Sequence, residues 1–298
     1  MQRFPIGFWN YVPVEKLDVS CVKDWADAGM TLPMSAEYAG EPQQVERMRE
    51  ILDAAEAQDM RVILCDKRTR WRQLSEQGEE AFRGNCQEAI EQLGGHPATF
   101  GFHVGDEPQT GNFEDACRAL RIVNELAPHL TGFLNLLPWG PEMHRRVGYL
   151  SWAGYLDAYV QRARPGVLCY DCYAQMNPGT EGWDMYFTNL REFQAASERH
   201  GIPWWTTLLS AGHFYYRCPN EDDFRWQLHT ALAHGARGIL WFFLYMREPH
   251  VNYRIPPIDE HYERMETFGR LSRVNRTFLA TWGDLFKQLT LVSAQHLG

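Results

Sequence analysis

The chain has 298 residues, of which 45% are apolar and 22% charged, a composition that suits a globular protein with one large core or two modest ones. Its formal net charge of −9 argues against a nucleic-acid surface, which needs a basic stripe, and no stretch approaches the ~20 apolar residues of a membrane-spanning helix. Seven cysteines (Cys21, Cys65, Cys86, Cys117, Cys169, Cys172 and Cys218) are an odd number scattered over the chain, which predicts free thiols in a reducing, cytoplasmic setting. Residues 1–7 carry one basic side chain and no long apolar segment follows, so no signal peptide is expected.

In chain order, short apolar runs predict strands at 5–9, 30–35, 61–65, 99–104, 130–136, 167–172, 204–209 and 238–244. Stretches of helical periodicity alternate with them, at 14–28, 42–58, 78–93, 112–127, 146–162, 186–200, 221–234 and 261–279. The second is clear: Val45, Met48, Ile51, Leu52 and Ala55 share one face, and Glu46, Arg47, Arg49 and Glu50 the other. Gly29, Gly201 and Gly235 each stand between a helix and the next strand, where a left-handed cap residue belongs. Eight βα units in about 300 residues predict a single (β/α)8 barrel over 1–298, with no linker or repeat and a tail too short for another domain. A doubly wound dinucleotide fold would need a glycine-rich turn after the first strand, where this chain reads Phe8-Trp9-Asn10-Tyr11. Cys169 and Cys172 have redox or metal spacing but flank Tyr170-Asp171 in a strand, where they face opposite sides and read as small apolar residues.

In a barrel, the residues that follow each strand gather on one face and become neighbours. Here they are Trp9, Asn10 and Tyr11; Glu37 and Tyr38; Asp66 and Arg68; His103, Asp106 and Glu107; Asn135 and Trp139; Tyr170, Asp171, Tyr173 and Gln175; Ser210, His213 and Tyr215; and Tyr245, Arg247 and Glu248. Hydrogen-bonding groups beside aromatic platforms suit a polyhydroxylated ligand. Bland roles compete for several positions: Asp66 and Arg68 as an ion pair at the rim, His103 as packing beside the strand end, Glu248 as a solvated loop acid. Glu107 stands out, because an acid pair cut off by Pro108 is a poor choice for a plain turn.

Gly105-Asp106-Glu107-Pro108 resembles the Asn-Glu-Pro or Asp-Glu-Pro motif of clan A barrel glycoside hydrolases, and the stretch from Phe224 to Phe243 (FRWQLHTALAHGARGILWFF) resembles the last helix and eighth strand of their β-galactosidase-like members. The resemblance implies a glycosidase with Glu107 as general acid/base, acting on an oligosaccharide or glycoside with no cofactor, metal, nucleic acid or membrane. It also implies a nucleophilic glutamate at the end of strand seven, and residues 203–213 contain no acid. Asp171 and Glu248 are the candidate second carboxylates, with Glu37 behind them. Substrate binding is assigned to Trp9, Asn10, Glu37, Asp66, Arg68, His103, Asp106, Asn135, Trp139, Tyr170, Tyr173, His213 and Tyr245. Two alternatives use the same mouth. A metal-dependent sugar isomerase or epimerase would place Glu107, Asp171, His213 and Glu248 around a divalent ion; a glycan-binding barrel would have lost its nucleophile.

Overall fold

The computed structural model describes residues 3–248 and 252–294. Its eight parallel strands are β1 (Ile6–Phe8), β2 (Met34–Tyr38), β3 (Val62–Asp66), β4 (Thr99–Asp106), β5 (Phe133–Leu136), β6 (Leu168–Asp171), β7 (Trp204–Leu208) and β8 (Gly238–Trp241). They are hydrogen-bonded in the order β1-β8-β7-β6-β5-β4-β3-β2. The remaining seam is joined just below β2, where the amides of Thr31 and Leu32 donate to the Ile6 carbonyl at 2.8 and 2.9 Å and the Ile6 amide donates to Thr31 Oγ1 at 2.8 Å. Helices pack outside, and the fold is the (β/α)8 barrel that the alternating pattern predicts.

Strand alternation divides the core into two layers. Met34, Ile63, Cys65, Phe100, Phe133, Cys169, Trp205 and Leu240 fill the barrel, with Trp9 among them, while the opposite strand faces pack on the helices. Cys169 belongs to the inner layer and Cys172 to the outer one; all seven cysteines are free thiols. No helix among the described residues is long and apolar enough to cross a membrane.

The departures from the predicted elements have local causes. Strand two starts at Met34 rather than residue 30, because Pro33 has no N–H for the ladder, and the shift brings Glu37 and Tyr38 inside the strand. The first predicted helix splits into a turn at Val14–Lys16 and a helix at Cys21–Asp27, with Asp18 Oδ1 accepting from the Ser20 amide at 2.8 Å between them. The fifth splits at Gly148, whose φ of +76° ends Met143–Val147; Ser151 then caps Trp152–Ala163. A helix at Trp71–Gln77 has no counterpart in the periodicity, since only Trp71 and Leu74 of its residues are buried. Trp71 packs against the end of β4, where a Cβ on Gly105 would lie 2.1 Å from Trp71 Cδ1.

Candidate active site

The site begins with a break in strand alternation. Asp106 is the last residue of β4, and Glu107, next in sequence, would face the opposite side if the strand continued. Instead Glu107 takes a left-handed backbone at φ +44°, with its amide donating to the Asn135 carbonyl at 3.0 Å. A non-glycine residue there costs on the order of 1 kcal/mol. Both acids consequently line one cavity of about 430 Å³ at the C-terminal end of the barrel.

Asn135 and Asp171, from the ends of β5 and β6, complete the acid wall. Asn135 Nδ2 donates to Asp106 Oδ1 at 3.0 Å and to Asp171 Oδ1 at 2.7 Å, so one amide nitrogen ties three neighbouring strand ends. The Glu107 and Asp171 carboxyls lie close enough for each to perturb the other's ionisation. Burial and then Asp106 push the Glu107 carboxyl up to about 7. Burial and then Glu107 hold Asp171 well above the usual carboxylate range, and burial raises Asp106. Two carboxyls this close resist double ionisation, so the pair keeps a proton to higher pH than an isolated carboxyl does. The Asn135 donor opposes part of the upward push on Asp171, and the proton belongs to the pair.

The facing wall is aromatic. Tyr11, Tyr173, Phe214, Tyr216, Phe242 and Tyr253 surround His213, which stacks on Phe242 with ring centroids 4.4 Å apart. Burial lowers the His213 pKa to about 4, so the ring is neutral, its Nδ1 placed 3.1 Å from the Ala211 carbonyl. Arg247 lies over the Tyr11 ring at 3.9 Å and donates to the Tyr253 hydroxyl at 3.1 Å. On the floor, Trp9 Nε1 donates to Thr207 Oγ1 of β7 at 2.9 Å, close to where the family resemblance implies a glutamate.

Of the residues singled out from the sequence, Trp9, Asp106, Glu107, Asn135, Asp171, Tyr173 and His213 line this cavity. Glu37 lies in a neighbouring cleft, bound to Arg70 at 2.9 Å, and His103 is buried beneath, its ring against Arg70 and its Nε2 2.9 Å from the Gly105 carbonyl. The others lie elsewhere. Asn10 is used up by the backbone, accepting from the Val12 amide at 3.1 Å. Asp66 is fully buried and forks with Arg68 at 2.7 and 3.1 Å, the ion-pair role. Tyr170 points outward and stacks on Phe193 at 3.9 Å; Tyr245 accepts from Trp25 Nε1 at 3.0 Å; Trp139 packs on Trp152 at 5.6 Å. Glu248 is exposed and pairs with Lys16 at 2.9 Å, away from Glu107, so the four proposed metal ligands are not brought together. Among the described residues, the group that could hold a metal is Asp53, Glu56 and His96, on another face.

Tyr11 and Arg247 are strand-end residues that sequence reasoning placed at the mouth without a role. Phe214, Tyr216, Phe242 and Tyr253 were missed as lining residues; the aromatic run 213–216 and the pair Phe242-Phe243 were the available signals.

No protein-family model matches the chain, and no curated protein sequence does. Solved structures match it in fold. A β-galactosidase from Bacillus circulans sp. alkalophilus superposes with a TM-score of 0.72 at 10% identity, covering 97% of this chain and 57% of that one. A GH5 protein from Bifidobacterium longum subsp. longum, in complex with Manb1-4GlcNAc, gives 0.67 at 11% identity over 93% and 79%. A glucosidase from Croceicoccus marinus gives 0.61 at 14% identity over 93% and 67%. What the chain shares with these glycosidase structures is the (β/α)8 barrel fold. The chain spans 56–62% of the length of three β-galactosidases it matches, and identities of this size speak for the fold alone.

Proposed function

We propose that the protein is a glycoside hydrolase-like enzyme acting on an oligosaccharide or glycoside, with Glu107 as general acid/base and Asp171 as the second carboxylate. The observation that carries this reading is the pairing of Glu107 and Asp171: two half-buried carboxyls facing one another in an aromatic-walled cavity, both raised by burial and by neighbouring acids. Glycosidic cleavage asks for one carboxylic acid and one carboxylate on either side of the anomeric carbon, and a singly protonated pair supplies both.

Carboxyls roughly 5–5.5 Å apart go with retention and ~6.5–9.5 Å, with room for a water, go with inversion; the close approach of Glu107 and Asp171 favours the retaining arrangement. In the first step the Glu107 proton moves to the glycosidic oxygen as the C1–O bond breaks, and an Asp171 oxygen bonds to C1. In the second, Glu107 takes a proton from water, the water oxygen bonds to C1, and the Asp171–C1 bond breaks. Neutral His213 and the tyrosine hydroxyls around it supply hydrogen bonds to the sugar, and Phe242 and Tyr11 supply faces for stacking.

The test is hydrolysis of a panel of aryl and natural glycosides, with the configuration of the first-formed sugar read by NMR. Turnover with retention, abolished in Glu107→Gln and Asp171→Asn, supports the assignment. Binding of oligosaccharides without release of reducing sugar, unchanged in Glu107→Gln, would replace it with the glycan-binding barrel.

A further inference from the structure

Beside the carboxylate cavity lies a second cleft of about 240 Å³, and Asp106 lines both. Its character is opposite. Lys67, Arg70 and Arg72 line it, all from the turn and short helix that follow β3, together with Glu37 and the indole of Trp71. Arg70 is fixed from two sides. One guanidinium nitrogen donates to Glu37 at 2.9 Å, and the other lies against the buried ring of His103. That imidazole is held neutral by burial and by Arg70 itself, which keeps a basic ring nitrogen as acceptor for the guanidinium. Trp71 seals the cleft against Gly105, and the Arg72 guanidinium sits 5.5 Å from the indole ring.

Two of the three cations are not tied down by a salt bridge, Arg72 facing Asp106 and Lys67 facing Glu15 only at longer range. Among the described residues neither Lys67 nor Arg72 forms an ion pair, although the chain pairs cations elsewhere: Arg83 with Glu79 and Glu125, Arg264 with Asp24 and Asp27. In a chain of net charge −9 with many carboxylates to spare, this is a local cationic surplus beside the site of proposed chemistry. Glu37 offsets Arg70 and Asp106 faces the cations from the border of the two cavities, which leaves the lining with three cations against two acids.

We infer that this cleft is a subsite for an anionic sugar, in which Lys67, Arg70 and Arg72 hold a carboxylate or sulfate borne by the glycan while a neighbouring glycosidic bond reaches Glu107. The inference rests on the glycosidase reading and names its substrate class. A uronate carboxylate is flat and accepts two parallel N–H bonds, which a guanidinium fork provides; a sulfate ester is satisfied by the same cations as point charges.

The decisive experiment is calorimetric titration of the full chain with D-glucuronate, glucose 6-sulfate and methyl glucoside at low and high salt. One anionic sugar should bind about ten-fold tighter than the neutral one, and the advantage should shrink in salt because Lys67 and Arg72 are exposed. Tighter glucuronate identifies a carboxylate ligand, and tighter glucose 6-sulfate a sulfate ester. The Lys67→Ala/Arg72→Ala double variant should lose the advantage while its thermal midpoint stays put, since neither side chain is buried. Equal affinity for all three sugars, or an advantage that survives in the double variant, overturns the subsite. The two readings fail separately. Turnover of neutral glycosides without anion preference removes only the subsite, whereas variant-sensitive anion binding in a chain that cleaves no glycoside upholds the subsite and removes the hydrolase.

Discussion

The two walls of the mouth are built differently. The acid wall comes from consecutive strand ends, β4 to β6, and its polar groups constrain one another: Asp106 and Asp171 are bound to Asn135, and Glu107 lies beside Asp171. The aromatic wall is carried mainly by the loops after β1, β7 and β8, where contacts are ring against ring and Phe214 remains 56% exposed. Strands fix side chains to within fractions of an ångström, while loops adapt shape, so the division assigns chemistry to one wall and recognition to the other. The strand that the family resemblance makes decisive, β7, lies under the recognition wall and carries threonines instead of an acid.

The largest effect that would break this contrast is on the acid wall. Glu107→Gln should lower kcat/KM by about 10²–10⁴-fold through loss of proton transfer while the fold persists, checked by steady-state kinetics beside circular dichroism. Asp171→Asn should be at least as damaging. If both variants retain full activity, chemistry does not reside in this wall. Next is pH. A carboxyl raised to about 7 in the folded state but ordinary when unfolded leaves the native state holding more protons between the two values. Its stabilising share is therefore complete below pH ~4.5 and lost as pH rises through about 7, by roughly 3 kcal/mol at most. Denaturant melts from pH 4.5 to 8 should show this decline, and Glu107→Gln should make it shallower, with the raised Asp171 carrying the remainder.

Gly105→Ala tests the scaffold behind the acids. The new methyl meets the Trp71 ring, and overpacking of this kind costs about 1–3 kcal/mol, read as a lower thermal midpoint. The smallest effect belongs to the recognition wall: Phe214→Ala should raise KM several-fold, on the order of 1 kcal/mol of lost stacking, with kcat held. A fall in kcat instead would show that the aromatic loops position the reacting groups and are not merely a platform.

The fold was legible in the sequence because a barrel writes itself as repeated apolar runs and amphipathic helices; each of the eight strands falls at or near its predicted run. Glu107 and Asp171 were legible because strand-end acids are rare and Pro108 marks where β4 must stop. Facing was harder to read. Tyr170 and Tyr245 sit near strand ends, as Tyr173 does, yet the pleat turns them outward into the helix layer, and a one-residue difference in where a strand ends reverses that outcome. Glu248 was misleading for another reason: it lies seven residues beyond β8, far enough for the loop to carry it to Lys16. Long-loop contributors such as Tyr253 leave no periodic trace at all.

Asn135 works as a caliper. Its single amide nitrogen spends both hydrogens on carboxylates from the strands to its left and right, so the spacing of those acids is set by one planar group with no slack. A ligand that shifts Asp171 must stretch or break that span, and the other jaw, Asp106, feels the change where it borders the cationic cleft. Events in two adjoining compartments are thereby read on one scale, two hydrogen bonds wide.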